Sequence, residues 1–450
     1  MDKEMLSVGL DVGTTSTQMI LSRLTVRNRA SGFTVPKLEI TEREILYRSP
    51  VYFTPLTSHD LVDAAALRKL VEGEFAAAGI TRDQVDTGAV IITGETSRKE
   101  NARRVLAELS DFAGDFVVAT AGPDLESVLA AQGAGVLERS EGKRILHMDI
   151  GGGTSNLCLV EDGKILATGC LNVGGRLLKF DEAGRITYRS SVLEGITDLR
   201  VGDSPTEDQL DKLTRMLASA LEMAAGLREP TDILCKLTTK ETGRPWGIPA
   251  CVIPSFSGGV ADCIAKNYPD RAFGDIGPAL GRAIRESRLC RGEYFLGEET
   301  IRATVIGAGC HSMRLSGSTV FHQNIPFPLK NIPAAVTGNP ETAEAVRQAL
   351  ETQDADRVFL AIPGFISPSY DRVRGLAEII AEGFGNRDIL VCLEQDMAKA
   401  LGNALRLLVG DRSCLCIDGL SLTSGSYLDV GEPVGPALPV VIKSLVLSNR

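Results

Sequence analysis

Two short segments of the sequence combine a carboxylate with a glycine-containing turn and hydroxyl side chains, a combination that can hold phosphate and a metal ion. In the first, Asp11 ends an apolar run and is followed by Gly13, Thr14 and Thr15. Glycine lets backbone N–H groups approach phosphate oxygens, and hydroxyls add further donors. Mg²⁺ keeps most of its water and prefers oxygen ligands. We therefore predict that Asp11 binds Mg²⁺ through water and that the turn binds phosphate.

The second segment repeats this arrangement further along the chain. Asp149 is followed by three glycines, Gly151, Gly152 and Gly153, and then by Thr154. One such turn on its own is best explained as a plain connection between two strands. Two of them in matching contexts favour a pair of cradles that hold a triphosphate and its metal. We predict that Asp149 binds Mg²⁺ through water and that the glycines and Thr154 bind phosphate.

Each turn needs two strands to hold it, and the hydrophobic pattern supplies them. Apolar runs flank both turns, over residues 6–24 and 144–169, and indicate one duplicated hairpin. Strands and helices alternate after each hairpin, an order typical of mixed sheets with helices on their faces. A looser pattern over 181–300 indicates an accessory region, and the apolar run from Thr304 predicts a further strand. The fold class is therefore predicted to be α/β.

Length, composition and charge limit the classes of protein to consider. With 450 residues, 44% hydrophobic and 24% charged, the chain is long enough for more than one large core. A formal net charge of −10 argues against general binding to nucleic acid or anionic membranes. The polar N-terminus does not resemble a signal peptide, and no apolar run approaches the roughly 20 residues of a membrane span. We expect a cytoplasmic protein with neither nucleic acid nor membrane as a partner.

Both turns resemble the phosphate-binding motifs of the superfamily of actin, heat-shock chaperones and sugar kinases: the first reads DVGTTST and the second DIGGGTS. The resemblance implies a two-lobed actin-like ATPase fold, in which duplicated ribonuclease H-like mixed sheets, flanked by helices, enclose a nucleotide cleft. It also implies ATP and Mg²⁺ as cofactors, with Asp11 and Asp149 in the catalytic group.

Three further segments resemble motifs of this superfamily. Residues 126–136 look like the first connecting helix, which carries the residue that polarises the attacking water. Residues 304–312 look like the adenosine motif, in which Gly307 and Gly309 let the base and ribose lie against the backbone. Residues 395–405 are similar to the second connecting helix, whose small residues allow two helices to cross closely.

The resemblance also implies a division of the chain into parts. Residues 1–140 would form the first lobe, with the phosphate-one hairpin and the first connecting helix. Residues 141–410 would form the second lobe, with the phosphate-two hairpin, the accessory region and the adenosine motif. Residues 411–450 would be a β-rich segment that packs on the lobes.

A closer resemblance covers essentially the whole chain. Residues 92–106, 255–262 and 417–444 resemble the ethanolamine ammonia-lyase reactivating factors of ethanolamine-utilisation systems. That family implies a chaperone-like protein that uses ATP and Mg²⁺ to open the lyase, so that damaged cobalamin leaves and intact adenosylcobalamin enters. The implied partners are ethanolamine ammonia-lyase and ATP or ADP, and association with a bacterial microcompartment is a further expectation.

Several residues have more than one interpretation. Glu126 is the candidate for orienting the attacking water, and the alternative is a solvated residue or a charge that suits the helix N-terminus. Glu95 is a second candidate for that water. His147 shares a strand face with Asp149 and is interpreted chiefly as structural. His311 either contacts ribose or packs at a helix end.

Two rival functions remain open from the sequence. A small-molecule kinase of the same fold would need a carboxylate base on a substrate hydroxyl, and no clear sugar-binding cluster stands out. A nucleotide-binding filament or scaffold protein would act by assembly, and the oligomeric state is not readable from the sequence. The basic cluster at 98–104 is either a solvated helix face or a partner-docking surface.

Overall fold

The computed structural model describes residues 3–13, 16–28, 38–58, 61–92, 117–120, 123–239, 252–297, 300–308, 313–315, 319–353, 355–422, 426–431, 433 and 438–444. Its strands are β1 (Lys3–Val12), β2 (Ser16–Asn28), β3 (Leu38–Arg48), β4 (Tyr52–Phe53), β5 (Leu56–Ser58), β6 (Leu61–Val62), β7 (Thr87–Ile92), β8 (Val117–Thr120), β9 (Arg144–Ile150), β10 (Ser155–Glu161), β11 (Lys164–Leu171), β12 (Leu178–Phe180), β13 (Ile186–Arg189), β14 (Ile253–Ser257), β15 (Phe295–Leu296), β16 (Met313–Leu315), β17 (Val320–Gln323), β18 (Leu329–Val336), β19 (Phe359–Ile362), β20 (Ile389–Leu393), β21 (Cys414–Ile417), β22 (Ser426–Val430) and β23 (Pro439–Ser444).

Its helices are α1 (Ala64–Ala77), α2 (Pro123–Gly133), α3 (Val136–Arg139), α4 (Glu207–Ala224), α5 (Asp232–Leu237), α6 (Gly259–Ala265), α7 (Gly277–Glu286), α8 (Ala303–Ile306), α9 (Ala343–Glu351), α10 (Tyr370–Phe384) and α11 (Ala398–Val409). Among the described residues, no helix is both long and apolar enough to cross a membrane.

Two sheets of the molecule have the same topology. In the first, the strands lie in the order β3-β2-β1-β7-β8, with β1, β2 and β3 antiparallel and β7 and β8 parallel to β1. In the second, the order is β11-β10-β9-β14-β15, again with three antiparallel strands followed by two parallel ones. The predicted α/β fold with duplicated ribonuclease H-like sheets, the actin-like ATPase fold, is confirmed.

Apolar side chains on the faces of these sheets bury against helices. Leu10 and Val90 in the first sheet belong to one core with Phe75 of α1. Met148 and Leu157 in the second sheet belong to a larger core with side chains of α4 and α7. The accessory region predicted from the looser pattern thus contributes helices that cover the second sheet.

Eight further strands form a third sheet in the order β16-β23-β22-β18-β19-β20-β21-β17. Of the other strands, β4 pairs with β2 of the first sheet, and β5-β6 and β12-β13 are separate two-stranded sheets. Four adjacent strands, β18 to β21, run parallel, and α9, α10 and α11 contribute to the core on one of their faces. Strands β20 and β21 pair across the expected boundary at residue 410, so this boundary does not separate two sheets. The hydrophobic pattern indicated the strands, but it carries no information on which distant strands pair.

Two glycines lie at the point where α2 and α8 cross and their backbones come closest. A Cβ atom on Gly133 would lie 1.8 Å from the carbonyl oxygen of Ala303, and one on Gly307 would lie 2.0 Å from that of Leu129. The expected strand from Thr304 is therefore wrong, because this apolar run forms a helix buried against α2.

A close crossing of two helices was expected at residues 395–405, but the crossing with α2 lies at α8 instead. Helix α11, which contains most of that segment, contacts α10 and also β17, β20 and β21 of the third sheet. There, a Cβ atom on Gly402 would lie 2.1 Å from the ring of Phe321. Its small residues therefore serve packing within the third sheet, and the glycine-mediated crossing of α2 is made by α8.

The helix crossing predicts opposite effects for two glycine-to-alanine changes. In Gly133→Ala, the new Cβ would overlap backbone atoms of α8, and we expect the free energy of unfolding to fall by about 1–3 kcal/mol. In Gly73→Ala, a helical position with nothing within 4 Å, we expect a gain of about 0.5–1 kcal/mol. Denaturant unfolding measures both, and equal effects of the two changes would contradict the crossing.

Candidate functional site

The two predicted carboxylates occupy equivalent positions in the two sheets. Asp11 lies on β1 directly opposite Gln18 of β2, and Asp149 lies on β9 directly opposite Asn156 of β10. Residues opposite each other in an antiparallel pair share a face of the sheet, with Cβ atoms about 4.5–5.5 Å apart. Each carboxylate, at 9% exposure, therefore has a side-chain amide as its neighbour.

The turns that follow the carboxylates also match. The N–H of Gly13 donates to the carbonyl of Ser16 at 2.9 Å, and the N–H of Gly151 donates to the carbonyl of Thr154 at 2.9 Å. The sequence prediction of one duplicated hairpin is confirmed down to this hydrogen bond. Binding of phosphate by Gly13, Gly151 and Thr154 remains a prediction.

The second turn rests on a glycine pair that the sequence analysis missed. The N–H of Gly175 donates to the carbonyl of Gly151 at 3.0 Å. A Cβ atom on Gly174 would lie 2.4 Å from the carbonyl oxygen of Gly152, so only glycine fits there. The available signal was two consecutive glycines shortly after an apolar strand, as in the phosphate-two turn itself.

Both carboxylate oxygens of Asp149 accept hydrogen bonds from hydroxyls. Ser257 donates through Oγ to Oδ1 at 2.5 Å, and Thr304 donates through Oγ1 to Oδ2 at 3.3 Å. Burial raises the pKa of Asp149, and the two hydroxyl donors act in the opposite direction. These donors stabilise the ionised carboxylate in a site with little solvent.

Helix α8 and the residues before it connect the two hairpins. Gln18 donates through Nε2 to the carbonyl of Ile301 at 3.0 Å, and Thr304 of α8 donates to Asp149. Ile20 of the first hairpin packs against the apolar side chains of α8. The carboxylate-bearing hairpins of both sheets therefore meet at one short segment.

Glu126 lies on α2 and is brought to the second hairpin. It is 8% exposed and accepts a hydrogen bond from Nδ2 of Asn156 at 3.2 Å. Because Asn156 lies opposite Asp149, this contact connects the predicted water-orienting residue to the predicted metal-binding residue. Its burial excludes the alternative of a solvated helix residue, while its role toward water remains a prediction.

The side-chain oxygens of the two amides are suited to a hydrated metal ion. Oε1 of Gln18 and Oδ1 of Asn156 are buried and have no hydrogen-bond partner in the structure. A buried acceptor without a donor costs about 1–3 kcal/mol, and metal-bound water would provide the donors. The described residues contain no group of three or more His, Cys, Asp or Glu that could ligate a metal directly. The donor set therefore fits Mg²⁺ held through water.

A second glycine pair lies at the same edge of the second sheet as the phosphate-two turn. It follows β14, which runs parallel to β9 with Ser257 beside Asp149. Gly258 has φ of +85°, and a Cβ atom there would lie 2.3 Å from the carbonyl of Ile150, whereas Gly259 faces almost open space. Both glycines lie within residues 255–262, which carry the family resemblance, and neither was predicted from the sequence as a candidate site residue.

The adenosine motif expected at residues 304–312 is described only in part. The place where a Cβ atom of residue 307 would lie is taken by the backbone of Leu129. Gly307 therefore has a packing role in the helix crossing. A contact between nucleotide and Gly307 or Gly309 remains a prediction. Predicted site residues outside the described part of the chain are Thr14, Thr15, Gly309, Glu95, His311 and the basic cluster 98–104.

Comparison with known proteins identifies the family. The family model described as "Ethanolamine utilisation protein EutA" matches residues 3–448. The chain belongs to the EutA family. Two curated relatives are named ethanolamine ammonia-lyase reactivase EutA: that of Salmonella typhimurium is 39% identical over 471 residues and that of Escherichia coli 40% identical over 468. Each match covers 99% of this chain and 99% of the relative. The predicted family is confirmed.

Two similar solved structures have low sequence identity to this chain. A Ppx/GppA protein of Aquifex aeolicus is 12% identical with a TM-score of 0.42, over 68% of this chain and 97% of that chain. The ethanolamine utilisation protein EutJ of Carboxydothermus hydrogenoformans is 17% identical with a TM-score of 0.34, over 68% of this chain and 89% of that chain.

His147 of this EutA-family chain is fully buried on β9. Its Nδ1 lies 3.0 Å from Oγ of Ser255, and its Nε2 lies 2.9 Å from Oγ of Ser257. Burial lowers the pKa of His147 from 6.5 to about 3. The imidazole is therefore neutral near pH 7.

The buried His147 predicts a loss of stability in acid. Below pH 6.5 the unfolded chain binds a proton at this residue, whereas the folded chain does so only near pH 3. The free energy of unfolding should therefore fall by up to about 1.4 kcal/mol per pH unit as the pH decreases through this window. Denaturant unfolding between pH 7 and pH 5 measures the slope.

The variant His147→Gln provides the comparison, because glutamine is neutral at every pH in that range. The slope of its free energy of unfolding against pH should be smaller than that of the unmodified protein by the equivalent of one bound proton. Equal slopes for the two proteins would show that His147 does not titrate in this way.

Proposed function

We propose that this chain is an ATP-dependent reactivating factor for adenosylcobalamin-dependent ethanolamine ammonia-lyase. The observation that carries the proposal is the pair of equivalent hairpins whose carboxylates, Asp11 and Asp149, lie on strands that contact the same segment around α8. The names of the two curated relatives support the lyase as the partner. In this function, the chain promotes release of damaged cobalamin so that intact adenosylcobalamin can bind.

The proposed nucleotide site holds ATP with Mg²⁺. Asp11 and Asp149 accept hydrogen bonds from metal-bound water, and the unpaired oxygens of Gln18 and Asn156 accept from further water. The backbone N–H groups of the two turns bind phosphate oxygens. When bound, Mg²⁺ neutralises charge on the phosphates. The open backbone at Gly259 is a candidate surface for the ribose or base, beside the earlier predictions at Gly307 and Gly309.

Glu126 is the proposed residue for the attacking water. The amide of Asn156 holds its carboxylate next to the second hairpin, where the terminal phosphate would lie. Glu126 orients the water and accepts its proton as the water attacks the terminal phosphorus, and the bond to the ADP oxygen breaks to give ADP and phosphate.

Hydrolysis is proposed to act on the partner through the two connected sheets. Residues 301–306 contact both hairpins, so a change of contacts at the phosphates alters the relative position of the sheets. The free energy for this change comes from different affinities of the two conformations for ATP and ADP. A surface that includes both sheets would then bind the lyase differently in the two states.

Reactivation of the lyase tests the proposed function. Inactivated lyase is incubated with this protein, ATP, Mg²⁺ and fresh adenosylcobalamin, and recovery of ammonia release is measured. We expect recovery with the unmodified protein and a decrease of about 10- to 100-fold with Asp11→Ala, because a partner of the hydrated metal is lost. Asp208→Ala, an exposed position on α4, is the control and should not change recovery.

Other outcomes of the same assays would identify the rival functions. ATP consumption that requires an added sugar or acid would indicate a kinase, and ATP-dependent sedimentation without reactivation would indicate a filament or scaffold. Recovery that is independent of nucleotide would contradict the ATP-dependent mechanism.

Glu126→Gln separates binding from hydrolysis. The amide keeps the shape and a hydrogen bond with Asn156 but cannot accept a proton, so we expect the rate of ATP hydrolysis to fall by about 10²- to 10⁴-fold. The affinity for ATP, measured by calorimetry, should stay close to that of the unmodified protein. Hydrolysis at the original rate would remove Glu126 from the mechanism.

A further inference from the structure

A row of four polar side chains crosses the centre of the second sheet. His147 and Asp149 lie two residues apart on β9, and their register partners on the parallel strand β14 are Ser255 and Ser257. The histidine and both serines are fully buried, and Asp149 is 9% exposed. Side chains two residues apart share a face of a strand. The row therefore lies on one face of the sheet and ends at the predicted metal-binding carboxylate.

The hydrogen bonds in this row have one consistent direction. An ionised Asp149 only accepts, so Ser257 uses its hydrogen for Oδ1 of Asp149. The oxygen of Ser257 then accepts from Nε2–H of His147, 2.9 Å away. A neutral imidazole with a hydrogen on Nε2 accepts at Nδ1, and Ser255 donates there at 3.0 Å. Each group in the row has a defined role.

The first hairpin has no such row. The position that corresponds to His147 is Gly9, which lies two residues before Asp11. The position that corresponds to Ser257 is Ile91 of β7, which is the register partner of Asp11. Glycine has no side chain, and the side chain of isoleucine cannot form a hydrogen bond. The duplicated hairpins therefore differ in the support of their carboxylates, although their turns match.

We propose that His147 and Ser257 are positioning residues that fix the carboxylate of Asp149 for hydrated Mg²⁺. The inference rests on the proposed nucleotide site and deepens it. With Ser257 on Oδ1 and Thr304 on Oδ2, the plane of the carboxylate is fixed, and its remaining lone pairs are available to metal-bound water. His147 in turn holds the Ser257 hydroxyl in the orientation that donates to Asp149.

If the row were purely structural, its polar groups would only form hydrogen bonds with one another, and the loss of one of them would not change the affinity for the metal. Two serine variants distinguish these cases. Ser257→Ala removes the donor to Asp149, whereas Ser140→Ala removes an equally buried hydroxyl that bonds to the backbone of Leu137 and Gly163. Both variants lose buried hydrogen bonds, but only the first affects Asp149.

The readout is metal affinity in the presence of nucleotide. Mn²⁺ is titrated into full-length protein with saturating ADP, and bound and free ion are separated by electron paramagnetic resonance. We expect Ser257→Ala to weaken Mn²⁺ binding by about 10- to 100-fold, as for other residues that orient metal-binding groups. Ser140→Ala should bind Mn²⁺ like the unmodified protein. An unchanged affinity in Ser257→Ala would overturn the proposal.

Two variants at His147 test the next step in the row. In His147→Gln, the side-chain amide keeps a donor close to the position of Nε2, so Mn²⁺ affinity should be retained. In His147→Leu, the donor is lost, and the affinity should fall in the same direction as in Ser257→Ala. Equal Mn²⁺ affinities in the two variants would overturn the role of His147, whatever their stabilities.

The unmodified protein separates this inference from the proposed function. If it fails to bind Mn²⁺ in the presence of ADP, the proposed nucleotide site itself is contradicted. If it binds Mn²⁺ and Ser257→Ala binds equally well, only the positioning role is lost.

Discussion

The burial of the Asp149 carboxylate is the constraint on which much of the second sheet depends. An ionised carboxylate with little access to water is costly unless hydrogen-bond donors surround it. Ser257 and Thr304 supply these donors from β14 and from α8. Strand β14 therefore carries a serine, Ser257, at a fully buried position where an aliphatic residue would otherwise fill the core. Helix α8 must also lie close enough for Thr304 to reach the carboxylate.

This constraint distinguishes the surroundings of the two carboxylates, although their hairpins are copies of one motif. The strand registers beside the two turns match, and each carboxylate faces an amide across the hairpin. Beyond that, Asp11 has the apolar Ile91 on its neighbouring parallel strand, whereas Asp149 has Ser257. The duplicated fold supplies two equivalent positions for carboxylates, and a hydroxyl from the neighbouring parallel strand is present only at Asp149.

The features predicted from sequence are those encoded in short contiguous stretches. A strand, a glycine turn and a second strand lie within about 20 residues in each hairpin, so Asp11, Asp149 and the turns that follow them could be inferred. Ser257 meets Asp149 from 108 positions away, and no local pattern connects them. The run at 303–306 has the β-branched composition of a strand but is a helix, because its surroundings on α2 override local preference. The third sheet was missed because the pairing of strands that are distant in sequence leaves no periodic signal.

The crossing of α2 and α8 explains how the carboxylates can be linked to the position of the sheets. Helix α2 carries Glu126, contacts β9, β10 and β11 of the second sheet, and packs Leu129 against Ala89 and Ile91 of the first. At the glycines of the crossing, the backbones of the two helices lie directly against each other. Gln18 and Thr304 fasten the neighbouring residues of α8 to one hairpin each. Both hairpins are therefore attached to the short segment that packs against α2 at this crossing.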